Sequence, residues 1–376
     1  MDQLTIAPKG KPIVLSKPQG KQEKAKFILH PQKAVSHFQL LQKYLPNCEH
    51  HFAVKACSEP LLLQALAEAG MSFDIASSGE IELLNKCTKN TSHRIHTHPI
   101  KSQYEIEYAI NAGITIFVVD NQAELEKFES YKDEVQLLVR LAFSNSDAQI
   151  DLSSKFGLAP ADATNFISAA HNDGYKIAGV SFHVGSQMPN PSMHIYAIEK
   201  CRDIYNELAQ KNIQLEVLDI GGGFPFIPKA NEHSYGEFFT PITTTLRQHF
   251  ANTRIITEPG RFIAAPAATL ECTVIGKSIR NGKLNYYIND GLYGCLSAKV
   301  FDAYDIKQLR TTTTQSKEEE ATIFGPTCDS FDKICDAHMM PVLNIKDKII
   351  FPNIGAYSIA SRTNFNSLNN LEIQSN

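Results

Sequence analysis

The sequence has no excess of positive charge, no apolar run long enough to cross a bilayer, no Cys-x-x-Cys pair and no leader-like start. Its 36 Lys and Arg against 40 Asp and Glu give a net charge of −4 with His neutral. No basic field therefore draws in nucleic acid or an anionic membrane. The longest mostly apolar stretches, such as Ile114–Val119 and Val135–Val139, fall far short of the roughly 20 residues that a spanning helix needs. Met1–Ser16 lacks the charged start, apolar middle and small-residue cleavage site of a secretory leader, so the expected location is cytoplasmic. The eight cysteines (48, 57, 87, 201, 272, 295, 328 and 335) are scattered, and most are expected to be reduced and packed rather than cross-linked. Two nucleotide signatures are missing as well: no Gly-Lys-Ser/Thr follows a glycine loop, and there is no Gly-x-Gly-x-x-Gly.

What is present is an alternation of short apolar runs with helical patterns. Strands are expected at Phe52–Ala56, Ser72–Ala76, Arg94–Thr97, Thr115–Val119, Val135–Leu141, Ala178–His183, Leu215–Ile220 and Arg254–Thr257. Helical periods lie between them, from Glu59–Ala69 to Gly236–Phe250, and an earlier one covers about Gln32–Tyr44. Eight such strands over roughly 230 residues fit an α/β fold, a (β/α)8 barrel of the TIM type, better than an open doubly wound sheet. After about Phe262 the pattern turns to β: Leu270–Ile279 and Lys283–Ile288 flank the hairpin dipeptide Asn281-Gly282, and further runs follow at Ala321–Phe324, Pro341–Ile345 and Lys348–Phe351. Thr311–Ala321 is poor in apolar residues and reads as a loop, and Ile13–Leu15 reads as a strand joining the second unit. The division this implies is a barrel over 27–261 and an all-β domain built from 1–26 and 262–376.

In such a barrel chemistry sits at the C-terminal strand ends, with phosphate often held after the seventh and eighth strands. The polar punctuation falls there. Lys55 lies in the otherwise apolar His-Phe-Ala-Val-Lys-Ala-Cys, where burial would lower its pKa and leave a nucleophilic amine; a lysine snorkelling from a strand end is the plainer reading. Asp74 lies in the second strand and His183 ends the sixth. Gly221-Gly222-Gly223 removes three side chains after the seventh strand, either for a tight turn or for backbone approach to a phosphate. Glu258-Pro259-Gly260-Arg261 follows the eighth strand, with a permanent cation suited to phosphate and a carboxylate suited to a protonated ring nitrogen. Ser186 adds a hydroxyl donor. His93, His96 and His98 would not share one strand face and have no acidic or cysteine partner nearby, so no metal site is expected.

Phe-Ala-Val-Lys, Phe-Asp-x-Ala-Ser-x-x-Glu, Phe-His-Val-Gly-Ser, Asp-Ile-Gly-Gly-Gly-Phe-Pro, Glu-Pro-Gly-Arg, Gly-Pro-Thr-Cys-Asp and Asn-Ile-Gly-Ala-Tyr occur in this order across Phe52–Tyr357. In this the chain resembles the ornithine/diaminopimelate/arginine decarboxylase family of barrel-type pyridoxal-phosphate enzymes. The resemblance implies pyridoxal 5'-phosphate as cofactor, held by Lys55 as an imine, with His183 stacked on its ring. It further implies phosphate contacts from Ser186, Gly223 and Arg261 beside Gly221, Gly222 and Gly260, and Glu258 at the pyridine nitrogen. Asp74 and Glu80 match acids bordering the ring and the lysine, and Tyr357 matches a tyrosine closing over the phosphate. Cys328 and Asp329 match a thiol and a carboxylate contributed across a homodimer interface, and Asp302 matches a second carboxylate for the substrate's distal amine.

The resemblance is closest to the ornithine branch. Cys328-Asp329-Ser330 stands where the diaminopimelate branch typically has Cys-Glu-Ser, and two acids suit a distal cation. The expected substrate is therefore a small basic amino acid, ornithine first and lysine next, with arginine, diaminopimelate and a non-catalytic regulatory homologue as alternatives. The Cys328-Asp329 segment and the motif order argue against an amino-acid racemase, which shares barrel and cofactor. Cys57, where asparagine is usual, and Phe301, where tyrosine is usual, depart from the ornithine pattern near the substrate rather than the cofactor.

Overall fold

The computed structural model describes residues 23–89, 94–144, 154–230, 232–301, 304–313, 315, 317–368 and 370–376. Eight strands close a parallel barrel: β2 (Cys48–Ala53), β3 (Ser72–Ile75), β4 (Arg94–His96), β5 (Ile116–Val119), β6 (Gln136–Leu141), β7 (Ile177–Phe182), β8 (Val217–Asp219) and β9 (Arg254–Thr257). Closure comes from β2 pairing with β9 in the register Cys48↔Ile255. Every residue of β5 is buried, as expected of a strand covered on both faces. Ile95, Ile116, Val118, Leu138, Val217 and Ile256 form one cluster of apolar side chains within the barrel. A second and larger shell, including Phe52, Phe117, Phe182 and Phe262, lies between strands and helices.

The helices form where the sequence supplies both an apolar stripe and a start signal. In chain order they are α1 (Pro31–Tyr44), α2 (Pro60–Glu68), α3 (Ser78–Cys87), α4 (Gln103–Asn111), α5 (Gln122–Glu126), α6 (Pro160–Asn172), α7 (Ser192–Gln210) and α8 (Glu232–His249). Proline occupies the first turn of α1, α2 and α6, where its missing N–H costs nothing. The side chains of Ser77, Ser102 and Asn121 accept the N–H of Glu80, Glu105 and Glu124 and so cap α3, α4 and α5. No helix among the described residues is long and apolar enough to cross a membrane.

The second unit is a mixed eight-stranded sheet. Its strands are β1 (Ala25–Leu29), β10 (Ala268–Arg280), β11 (Lys283–Ile288), β12 (Arg310–Thr311), β13 (Glu318–Phe324), β14 (Lys333–Pro341), β15 (Lys348–Pro352) and β16 (Leu371–Ser375). Asn281 and Gly282 take φ of 52° and 74°, the left-handed pair that the β10–β11 hairpin requires. Phe27, Leu270, Tyr286 and Phe351 are fully buried in its core.

Four sequence expectations change. The β2 ladder stops at Ala53, whose N–H turns to Pro259 O at 3.2 Å, so Lys55 sits in a one-turn 3-10 helix, Val54–Ala56, instead of in the strand. The run expected at Pro341–Ile345 is displaced: the strand there is β14, ending at Pro341, paired with β13 through Met340↔Glu319. Thr311–Ala321 is not all loop, because Arg310–Thr311 and Glu318–Phe324 both pair. The division at Phe27 falls inside β1, which pairs with β10 and β16 and so belongs to the second sheet. Ile13–Leu15 lies outside the described residues.

Candidate active site

Lys55, Asp74, Glu80, His183, Ser186, the glycine run, Glu258 and Arg261 lie at or just after the C-terminal ends of barrel strands. Lys55 Nζ donates to Asp74 Oδ2 at 2.9 Å, and Thr97 Oγ1 donates to the other carboxylate oxygen. About half of the Lys55 side chain (48 %) is open, whereas Asp74 is buried. The expected lowered amine does not occur in this state. Burial pulls the ammonium down, but Asp74, Glu258 and Tyr357 more than offset it, and Lys55 is held above its ordinary value. Lys101 is the contrasting lysine: burial lowers it to about 8, yet its Nζ is spent on the carbonyls of His98, Pro99 and Val118, which marks a structural role.

Glu80, in the first turn of α3, accepts the Ala76 N–H at 2.7 Å. Burial raises its carboxyl to about 7, with Asp74 adding and the Ala76 N–H and Lys55 opposing. An acid raised in the folded state binds protons there that the unfolded chain has already released, so stability falls as pH rises from 4.5 to 7 and is level above. Urea unfolding of the cofactor-free protein should show wild type losing stability relative to Glu80→Gln across that window. Parallel curves from pH 4.5 to 7 would contradict the assignment.

Three loops meet around the glycine run. A Cβ at Gly221 would lie 2.2 Å from Phe182 O, one at Gly222 2.5 Å from Glu258 O, and one at Gly223 2.4 Å from Gly185 O. Only glycine lets the ends of β7, β8 and β9 approach this closely. Among the described residues, the N–H groups of Gly222 and Gly223 donate to no protein acceptor. Nearby, Arg261 Nε and Nη2 donate to Ser186 Oγ at 3.3 and 3.0 Å, and the guanidinium lies 5.6 Å from the Tyr357 ring. Burial lowers Arg261 to about 10, which leaves it a cation at neutral pH. Tyr357 reaches this corner from the second unit, its N–H bound to Ala56 O and its hydroxyl 3.1 Å from where a Cβ on Gly260 would stand. Two free amides, a hydroxyl and a cation form a set that fits a phosphate dianion.

On the ring side, His183 Nδ1 accepts the Gly185 N–H at 3.0 Å. Burial, then Arg140 and Lys55, hold the imidazole well below its usual value, so it is neutral with the proton on Nε2. Glu258 is buried beside Asp219, and burial first, then the Asp219 charge, holds its carboxyl well above the usual range. Asp219 accepts the Gly221 N–H at 2.8 Å, and its other carboxylate oxygen has no partner among the described residues. A buried carboxyl raised in this way is a group that fits a pyridine nitrogen, which is itself basic.

Among the described residues, no hydrogen bond joins Cys328 or Asp329 to this mouth. Cys328 is exposed, its N–H bound to Asn366 Oδ1 at 3.1 Å. Asp329 accepts the Tyr293 hydroxyl and the Phe331 N–H, and the Tyr293 bond is the main reason its carboxylate is lowered. Their loop is shaped by buried Asp332, which accepts from Leu292 N–H, Thr327 N–H and Thr327 Oγ1. Asp302 lies outside the described residues, as does the side chain of Phe301. Cys57 is fully buried. His93 also falls outside the described residues, whereas His96 is buried and stacks on Phe117, and His98 accepts the Ile100 N–H.

Sequence reasoning passed over Arg140, Thr97, Asp219, Asp332 and Tyr293. Arg140 carried the same signal as Lys55, a cation inside the apolar strand Gln136–Leu141. Asp219 stood in a motif already quoted, but nothing in a linear sequence pairs it with Glu258.

The barrel and mouth have counterparts among known proteins. Residues 32–265 match the pyridoxal-binding domain of the pyridoxal-dependent decarboxylases. The chain is 32% identical over 357 residues to a chloroplastic ornithine decarboxylase of Nicotiana glutinosa, covering 91% of this chain and 82% of that one. It superposes on a lysine/ornithine decarboxylase of Vibrio vulnificus complexed with cadaverine at a TM-score of 0.88 and 36% identity, covering 94% of each chain. An arginine decarboxylase of Paramecium bursaria Chlorella virus aligns at 0.87 and 28%, over 94% and 97%. The chain belongs to the barrel-type pyridoxal-phosphate decarboxylase family. Within it, this is a carboxy-lyase for a basic amino acid, and its cofactor is pyridoxal 5'-phosphate.

Proposed function

We propose that the chain decarboxylates L-ornithine to putrescine, accepts L-lysine more slowly, and works as a homodimer in which each mouth is completed by the partner's Cys328-Asp329 segment. The observation that carries this reading is the set of contacts that holds that segment. It is built by Tyr293, Asn366 and Asp332, and none of these contacts reaches Lys55, His183, Glu258 or Arg261. Phe331 (60 % exposed) and Phe365 (40 % exposed), the latter stacked on Tyr293 at 4.4 Å, leave an aromatic patch beside it suited to a protein interface. We also take the barrel unit as 30–267, with β1 assigned to the β domain.

When bound, the cofactor supplies an electron sink for the pair left by the broken Cα–carboxylate bond. Lys55 is its attachment point, and Asp74, itself held by Thr97, fixes where Nζ lies. His183 would lie against the cofactor ring, and Glu258 would partner the ring nitrogen. Ser186, Gly223 and Arg261 hold the phosphate under Tyr357, while Gly221, Gly222 and Gly260 let the loops close on it. Glu80 borders Lys55. The Cys328 thiol would be the proton donor to Cα. Asp329, ionised beside Tyr293, would take the distal ammonium, and the family pattern adds Asp302 and Phe301 as substrate contacts. The neighbour complexed with cadaverine supports a diamine-shaped pocket.

One methylene separates ornithine from lysine and is worth about 1–3 kcal/mol in a pocket. Carbon dioxide release from carboxyl-labelled ornithine, lysine, arginine and diaminopimelate tests the reading. The expected order puts ornithine first in kcat/KM, with lysine within about 10–200-fold. Preference for arginine or diaminopimelate would overturn the substrate, and no release from any would point to a regulatory homologue.

A further inference from the structure

On the α7 side of the glycine loop, His194 is fully buried. Its ring stacks on Phe224 at 5.3 Å with 19° between planes and meets Phe238 edge-on at 5.8 Å. Nε2 lies 2.9 Å from the Gly222 carbonyl oxygen. A carbonyl oxygen can only accept, so the proton must sit on Nε2. Burial lowers the ring to about 4, so it is neutral at working pH and this tautomer is fixed; Nδ1 has no partner.

The consequence runs through one peptide plane. The chain has no cis peptide among the described residues, and in a trans peptide the C=O of one residue and the N–H of the next point opposite ways. Tying Gly222 O back to α7 turns the Gly223 N–H away from that helix and toward the mouth. The next plane is anchored from behind too, by Met188 N–H on Gly223 O at 3.0 Å. Gly223 at φ 86° can follow this path where a side chain would strain. The Gly223 N–H is thereby left with no protein acceptor, among the described residues, on the side of the loop opposite α7.

We propose that His194 is a positioning residue for the cofactor phosphate: its Nε2–H holds the Gly222 carbonyl so that the Gly223 N–H is presented to the corner formed with Ser186 and Arg261. This rests on the reading of that corner as the phosphate site. The neutral, mouth-averted ring takes no part in proton transfer.

The test compares two ligands that differ only in the phosphate. Cofactor-free wild type, His194→Phe and His194→Gln are titrated with pyridoxal phosphate and with pyridoxal, following the visible absorption of bound cofactor, and the bound phosphate is read by 31P NMR. Phenylalanine keeps a stacking ring and loses the donor. It should weaken pyridoxal phosphate by about tenfold or more, leave pyridoxal unchanged and move the 31P resonance. Glutamine, whose amide can donate to the same carbonyl, should restore most of both. Equal weakening of the two ligands would mean a merely structural histidine and overturn the proposal, as would no change in either. Should the phenylalanine variant not fold, the Gly223 amide in 15N-glycine-labelled wild type decides. It should shift strongly on adding pyridoxal phosphate and little with pyridoxal, and the same response to both overturns the proposal. A wild type that binds both ligands equally would sink the phosphate-corner reading itself, and this proposal with it.

Discussion

Replacing Lys55 with alanine should lower kcat by on the order of 10⁴-fold or more, the scale on which loss of a covalent-catalysis residue is felt. The fold should survive. Lys55 is half open, and the change leaves Asp74 with its Thr97 donor still in place. The phosphate corner is untouched, so the variant should still retain pyridoxal phosphate, though without the absorption of lysine-bound cofactor. Lys55→Arg should fare no better, since a guanidinium keeps the charge beside Asp74 but cannot form the covalent link. Single-turnover carbon dioxide release and the absorption spectrum of each variant check both parts. Activity within tenfold of wild type in Lys55→Ala would remove the anchor assignment.

Mixing two dead variants should restore activity. If Cys328 and Asp329 serve the partner's mouth, Lys55→Ala and Cys328→Ala each spoil both sites of their own homodimer. After exchange of equal amounts, half the dimers are mixed, and each of these has one site with both residues intact. About a quarter of wild-type activity should return. No recovery, with subunit exchange shown by mass spectrometry, would place both residues in one chain's site. Asp332 predicts the geometry of the failure: its buried carboxylate ties Leu292 to Thr327, so the loop that bears the thiol is a preformed element of each protomer.

Most of the barrel was legible because strands such as β5, β6 and β7 are largely buried and read as short apolar runs. The strands that were missed or misplaced are those that bury little. β14 and β16 leave most of their residues exposed or half-exposed, so period 2 is faint there. β1 does alternate, with Ala25, Phe27 and Leu29 buried, but five residues ahead of a helix give little to detect. Lys55 was found by its unlikely setting. Its turn was not, because the break depends on Pro259, far away in the chain, accepting the Ala53 N–H. Its charge state was reversed for a similar reason: desolvation lowers a lysine only until a carboxylate stands 2.9 Å away. Glu258 was legible as an acid after the eighth strand, whereas the burial and the neighbouring Asp219 that raise it came into view only in the fold.

The most direct test of Lys55 as the cofactor's attachment point is borohydride reduction of the cofactor-loaded protein, followed by proteolysis and peptide mass mapping. The phosphopyridoxyl mass should appear on the peptide that contains Lys55 and on no other in stoichiometric amount. Its appearance on Lys101 or another lysine, with Lys55 unmodified, would contradict the account.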